Sequence, residues 1–318
     1  VLFVSCDKDD SSYINFTNSP KSQSIPYFLD RDAVWTAITT AMSFDSVSQL
    51  LEYEQISDRQ SIGALSDAFY EKINIGEFEN QEDVIAYYNA NTDFLDTIVE
   101  FGEVLISPKW FDSPYRFVAN IDGLFIVGNQ VYRLFNRCMV STNISNLNLL
   151  TSLNESDVNG LDASTFNVSY KNTNTGTLPH EGCVNGWYYK DKLQDDNDYV
   201  AISIETQNVY YPYIGYNLET LIHVYSRHKF LGIWWLEKHT LTCKGSVSWH
   251  SRRINENNMN TWISGSREID TARNCFNLWI GVHSEPTIFP VDVLDYHYQS
   301  LAIRARTPDL AYAELYQN

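Results

Sequence analysis

The chain has little positive charge. Its 318 residues carry 22 Lys+Arg against 40 Asp+Glu, a formal net charge of −18. A nucleic-acid binder needs a basic footprint to replace phosphate counterions, so nucleic acid is excluded as a partner. Long apolar runs are also missing. No stretch reaches the roughly 18 apolar residues that a membrane-spanning helix requires. Cysteine is sparse, with five residues and no C-x-x-C spacing, which excludes a disulfide-dense scaffold and a zinc ribbon. The familiar catalytic signatures are absent: there is no G-x-S-x-G, H-E-x-x-H, Walker loop or G-x-G-x-x-G. On these grounds no catalytic residue, cofactor or metal site is expected. What is present is 44% hydrophobic and 14% aromatic. That is too apolar for a disordered chain, and the length suffices to bury a large core without disulfides or metals.

The acidity is uneven. Residues 1–107 hold 19 acidic and 5 basic side chains, whereas 108–318 hold 21 and 17, and such asymmetry points to units with different surfaces. Within the second part, 223–253 reverses sign, with Arg227, Lys229, Lys238, Lys244, Arg252 and Arg253 against Glu237 alone. This basic stretch either docks on the acidic unit or offers a surface to acidic polymers such as sulfated or uronic-acid glycans.

The start of the chain reads Val-Leu-Phe-Val-Ser-Cys-Asp-Lys-Asp-Asp. An apolar run that ends in a small residue and then Cys is the tail of a secretory signal. Residues 1–6 are therefore expected to be a signal remnant, and 7–27 a polar tether. Phe3-Val4-Ser5-Cys6 resembles a bacterial lipobox, which implies lipid attachment at Cys6. Asp7-Lys8-Asp9-Asp10 is similar to the surface-export signal of Bacteroidetes lipoproteins, with Lys8, Asp9 and Asp10 carrying it. A multiply acylated Cys would anchor stably, since lipid chains contribute about 0.8 kcal/mol per buried CH₂.

Helical periodicity follows. Asp30 or Asp32 can cap a helix with Val34, Trp35, Ile38 and Met42 on one stripe. Asp45 or Ser46 can cap a second, with Val47, Leu50, Leu51 and Ile56. Ile62, Leu65, Phe69 and Ile73 form a third. Asn80 precedes a fourth with Val84, Ile85 and Tyr88, continued by Phe94, Leu95 and Ile98. These define an acidic helical unit over 28–107. From Tyr115 the period becomes two, and strands are expected at 115–120, 124–127 and 130–135, joined by Asp122-Gly123 and Gly128-Asn129, within a β-meander over 108–153. Residues 154–180 are polar and read as a linker or long loop. From 181 to 318 short alternating segments with recurrent glycines indicate a β-rich, sandwich-like domain. The expected fold class is α+β: an N-terminal helical unit, a central antiparallel meander and a C-terminal antiparallel β-rich domain.

The hairpin segment Asn-Ile-Asp-Gly-Leu-Phe-Ile-Val-Gly-Asn-Gln-Val-Tyr-Arg at 120–133 resembles one in uncharacterised surface-exposed lipoproteins of gut Bacteroidetes. Gly232-Ile-Trp-Trp-Leu-Glu-Lys238 is also similar to theirs. The resemblance implies export to the outer face of the cell outer membrane, and no activity. Asp45-Ser46-Val47, Asp96-Thr97-Ile98 and Asp270-Thr271-Ala272 look like the O-glycosylation motif of exported proteins of that phylum.

The chemistry left to consider is aromatic. Trp187-Tyr188-Tyr189, Tyr210-Tyr211-Pro212-Tyr213 and Trp234-Trp235 lie in the β-rich part, and flat rings with polar edges suit the C–H faces of sugars. Neighbouring strand residues face opposite sides, so one of Trp234 and Trp235 should be buried and the other exposed or covered by a loop. The expected ligand-facing set is Trp187, Tyr213, Arg227, Lys229, Trp234 and Trp235. His223 and His228, an odd number of residues apart, would face opposite sides of a strand. Cys138, Cys183, Cys243 and Cys275 could be two disulfides or free thiols. The expected protein is a lipid-anchored surface protein that binds a glycan or host polymer. The alternatives are a secreted hydrolase using paired carboxylates and a structural component of an outer-membrane complex.

Overall fold

The helix starts are fixed by capping side chains. The computed structural model describes residues 24–100, 103–170, 187–195, 197–211, 215–254, 260–287, 293–308 and 313–317. In it α1 (Arg31–Ala41) begins at Asp30, whose carboxylate accepts the Ala33 N–H at 2.9 Å. Ser46 caps α2 (Val47–Ile56), Ser61 caps α3 (Ile62–Tyr70) and Asn80 caps α4 (Gln81–Ala90), each accepting from the backbone N–H three residues on. Such a cap satisfies one of the four orphan donors of the first turn and contributes about 1 kcal/mol. Val34, Ile38, Ile62, Leu65 and Val84 are buried as their periodicity requires.

Two expectations of local structure are corrected. Residues 94–98 do not continue α4; they lead into β2 (Leu95–Glu100), which folds back on β3 (Glu103–Pro108) with Val99 opposite Val104. Thr97, Ile98 and Val99 are consecutive β-branched residues, which crowd a helix and suit a pleat. Residues 115–120 are not a strand. A 3₁₀ turn spans Pro114–Phe117, because Pro114 presets a helical φ. The Asn120 carboxamide oxygen then accepts from the N–H groups of Asp122 and Leu124 and closes a turn.

A five-stranded sheet carries the meander in the order β1 (Tyr27–Phe28), β4 (Leu124–Val127), β5 (Gln130–Leu134), β6 (Cys138–Asn143) and β7 (Phe166–Tyr170). Its pairs are antiparallel except β1 with β4. The β4–β5 hairpin turns on Gly128, at φ 57°. Between β6 and β7 lie α5 (Leu147–Ser152) and a 3₁₀ segment at Glu155–Gly160.

The remaining strands are β8 (Trp187–Asp195), β9 (Asp198–Tyr211), β10 (Gly215–Phe230), β11 (Ile233–Glu237), β12 (His239–Ile254), β13 (Asn260–Cys275), β14 (Asn277–Thr287), β15 (Val293–Arg306) and β16 (Ala313–Gln317). β10 is the spine of a seven-stranded sheet. β9 pairs along one of its edges; the other edge is shared, with β14 beside 216–225 and β11 beside 226–230. β11 continues into β3 as a parallel pair, so the sheet extends through the β2–β3 hairpin of the N-terminal part. A four-stranded sheet ordered β13-β12-β15-β16 completes a sandwich. Val200, Ile202, Ile204, Ile222 and Val224 meet Leu241, Cys243, Val247, Ile303 and Ala305 in one buried cluster. The close fit of β12 on β15 depends on Gly245, at φ 140°, where a Cβ would lie 2.0 Å from the Ala302 carbonyl oxygen. The whole is an α+β protein with a β-rich C-terminal region, as the periodicities indicated. Among the described residues no helix is long and apolar enough to cross a membrane, which says nothing of strands.

Candidate functional site

The structure encloses three of the residues expected to face a ligand. Arg227, Trp234 and Trp235 are 1%, 0% and 2% exposed. The Arg227 guanidinium lies over the Tyr199 ring at 3.9 Å and near Trp234 at 5.2 Å. The Trp234 indole N–H donates to Glu103, which also takes the Lys229 ammonium at 2.6 Å. Trp235 is stacked under Phe78 at 5.7 Å and 15°. Side chains this deeply enclosed offer no face to a sugar, so they are interior packing and correct the expectation of an exposed platform. Trp187 sits in β8 opposite Thr206. Tyr213 lies outside the described residues, as do Cys6, Lys8, Asp9, Asp10 and Cys183. Cys138, Cys243 and Cys275 are free thiols.

A buried polar constellation centres on Glu219 of β10. Its carboxylate accepts from the Tyr115 hydroxyl at 2.6 Å, the Trp35 indole at 3.0 Å, the Tyr211 hydroxyl at 3.1 Å and the Asn217 amide at 3.1 Å. Arg31 stands 3.5 Å away and also donates to Ser284. Tyr115 and Tyr211 touch at 2.7 Å. Burial holds both phenols well above their ordinary pKa, and the Glu219 charge adds to this. The network joins α1, the 3₁₀ turn, β9, β10 and β14. With so many donors on one carboxylate its role is structural: it ties the helical part to the sheet.

An open cleft lies elsewhere, between the α1–α2 junction and the β13–β14 corner. It is a half-open concavity whose enclosed part is small, about 60 Å³. Phe44 and Val47 line one wall, and Arg273, Asn274, Phe276 and Trp279 the other. Trp279 is itself stacked on His223 at 4.0 Å and 2°. Asp67 of α3 and Glu71, the residue that ends that helix, reach the cleft with Lys238. Asp67 is paired with the fully buried Arg116, and Glu71 with Lys238 at 2.5 Å. Burial raises the Asp67 pKa against the pull of Arg116. The Cys275 thiol lines the cleft too, but burial pushes it up to about 12. A nucleophilic Cys needs the reverse shift. Arg273 makes no ion pair among the described residues. Val47 and Lys238 lay in segments the sequence had singled out, whereas Arg273, Asn274, Phe276 and Trp279 lay in no aromatic cluster or motif.

No family model matches the chain, and no curated protein matches it. One solved structure does: a DUF4848 family protein from Bacteroides thetaiotaomicron. It aligns over 92% of this chain and 96% of its own at 11% identity, with a TM-score of 0.27. At that score the likeness carries neither a shared fold nor a shared activity.

Proposed function

We propose that the protein is a lipid-anchored surface protein that binds a glycan or related polymer without altering it, and that the polymer enters the cleft between α1–α2 and β13–β14. The cleft carries this reading. It combines aromatic and apolar surface with Arg273, Asn274 and Asp45 in one open concavity, the mixture that suits a ligand with apolar C–H faces and many hydroxyls. Binding is favoured over hydrolysis because the two inner carboxylates are each committed to a cation. A general acid–base pair must be free to exchange protons with substrate. Attachment through Cys6 and export through Lys8, Asp9 and Asp10 rest on the sequence resemblance.

A glycan array probed with the chain carrying Cys6→Ser tests the binding reading. Binding to a defined group of polysaccharides that is lost in Arg273→Ala/Asn274→Ala is the expected outcome. Absence of binding to neutral and acidic glycans alike overturns it, and release of shortened chains from a bound polymer replaces it with hydrolysis. The anchor is tested by metabolic labelling of the full gene product with a lipid probe. Label that persists in Cys6→Ala refutes Cys6.

A further inference from the structure

Strand register brings together three metal-ligating side chains that are distant in sequence. Asp198 opens β9, directly opposite His228 near the end of β10. Glu237 ends β11, opposite Ser226, two residues from His228 and hence on the same face of the sheet. The His228 Nδ1 lies 2.7 Å from an Asp198 carboxylate oxygen. One ligand atom from each of the three lies within 4.8 Å of the others. His239 Nε2 stands 2.9 Å from the Glu237 carboxylate, in the position of an outer partner that orients a ligating group.

We infer that Asp198, His228 and Glu237 form a binding site for one divalent transition-metal ion of the zinc class. The donor set decides the class. An imidazole nitrogen disfavours Mg²⁺ and Ca²⁺, which prefer oxygen throughout, and suits Zn²⁺. Two carboxylates and a neutral imidazole balance a 2+ charge. Ligands about 2.0–2.1 Å from a tetrahedral Zn²⁺ lie roughly 3.3 Å from one another, against 2.7 Å for His228 and Asp198 and no more than 4.8 Å for the other pairs. Small side-chain rotations therefore suffice. The supports are firm: His228 and Glu237 flank the two-residue β10–β11 turn at Leu231-Gly232, with φ 51° and 80°. Asp198 pairs in register with Asp195 of β8. All three side chains are at least partly open to solvent, so an ion can enter and water can complete its coordination. A bound ion would clamp β9, β10 and β11 together.

The test is calorimetric titration of the full 318-residue chain with Zn²⁺ in chelator-free buffer, paired with thermal unfolding. One ion bound per chain, with a rise in Tm that depends on Zn²⁺ concentration, is expected. His228→Ala should weaken binding by at least about tenfold, and Glu237→Gln, which keeps the side-chain shape, should do the same. Cys275→Ser should leave binding intact. Failure of the parent chain to bind Zn²⁺, undiminished binding in both the His228→Ala and Glu237→Gln chains, or loss in Cys275→Ser alone would each overturn the site. The metal-free Tm of each variant shows that it is folded.

Discussion

Across the C-terminal sandwich, Val200, Ile202 and Val224 meet Leu241, Val247 and Ile303, and the shared core is aliphatic with Trp249 and two cysteines at its margin and centre. Where the helices and the 3₁₀ turn meet the seven-stranded sheet, buried polar groups are set among apolar contacts such as those of Tyr70 and Val84 with Leu105, Trp234 and Trp235. Glu219 gathers Arg31, Trp35, Tyr115 and Tyr211. Asp67 holds Arg116, Asp96 holds Lys109 at 3.0 Å and accepts the Trp110 N–H at 2.8 Å, and Tyr70 bridges β3 and β11 through Ile106 and Leu236. Two sheet faces can fit by shape alone, because aliphatic side chains on regular pleats interdigitate. A helix crossing a sheet has fewer equivalent settings, and directional bonds select one of them. Buried polar groups cost free energy unless paired, so the polar joint is the more brittle of the two.

That contrast can be broken at either end. Glu219→Ala should have the largest effect, about 3–5 kcal/mol, because it strands several buried donors and Arg31. Urea unfolding followed by tryptophan fluorescence measures it, and a loss under 1 kcal/mol would mean that the network is slack. In the sandwich, Gly245→Ala should cost about 3 kcal/mol, since the new methyl meets the β15 backbone and the positive φ disfavours it. Cys243→Ser, in the same core, should cost about 1–3 kcal/mol by burying a hydroxyl. Cys243→Ala should cost less than Cys243→Ser if polarity rather than volume is what this core rejects.

The two regions should also differ in their response to pH. Burial holds Glu54, Asp67 and Asp96 above their unfolded pKa values of 4.5, 3.8 and 3.8. The folded chain therefore binds these protons more tightly than the unfolded one. Their contribution to stability rises as pH falls through the folded-state values, is complete below the unfolded values, and is lost again as pH rises. Asp67→Asn should flatten the slope of the urea midpoint against pH in that window, whereas Cys243→Ala should leave it unchanged. The smallest effect belongs to the cleft. Arg273→Ala should change stability by no more than about 0.5 kcal/mol while removing polymer binding.

Much of the local structure could be read directly. Asp30 and Ser46, each one of two candidates, cap their helices, Asn80 caps the helix it precedes, and Gly128 turns its hairpin. The reading failed at 94–98, where apolar spacing fits a helix and a strand alike over so few residues, and β-branching decides. It failed again at 115–120, where Pro114 and the Asn120 side chain outweigh alternation. Trp234 and Trp235 show the limit for sites. Alternation gives which side a ring faces, but Phe78, more than 150 residues away in sequence, is what covers Trp235.

The sequence by itself determined capped helices, tight hairpins, a β-rich C-terminal part, an acidic N-terminal part and the lack of any basic footprint. These follow from spacing and from side chains acting on nearby backbone. It indicated short strands, however, where β10, β12 and β13 each run 16 residues. Only the tertiary structure decided which polar groups meet. Asp198, His228 and Glu237 converge because three strands align in one register, and Arg273 faces Phe44 across a cleft because a strand corner packs beside a helix junction. Such meetings depend on long-range packing, which local propensity does not encode.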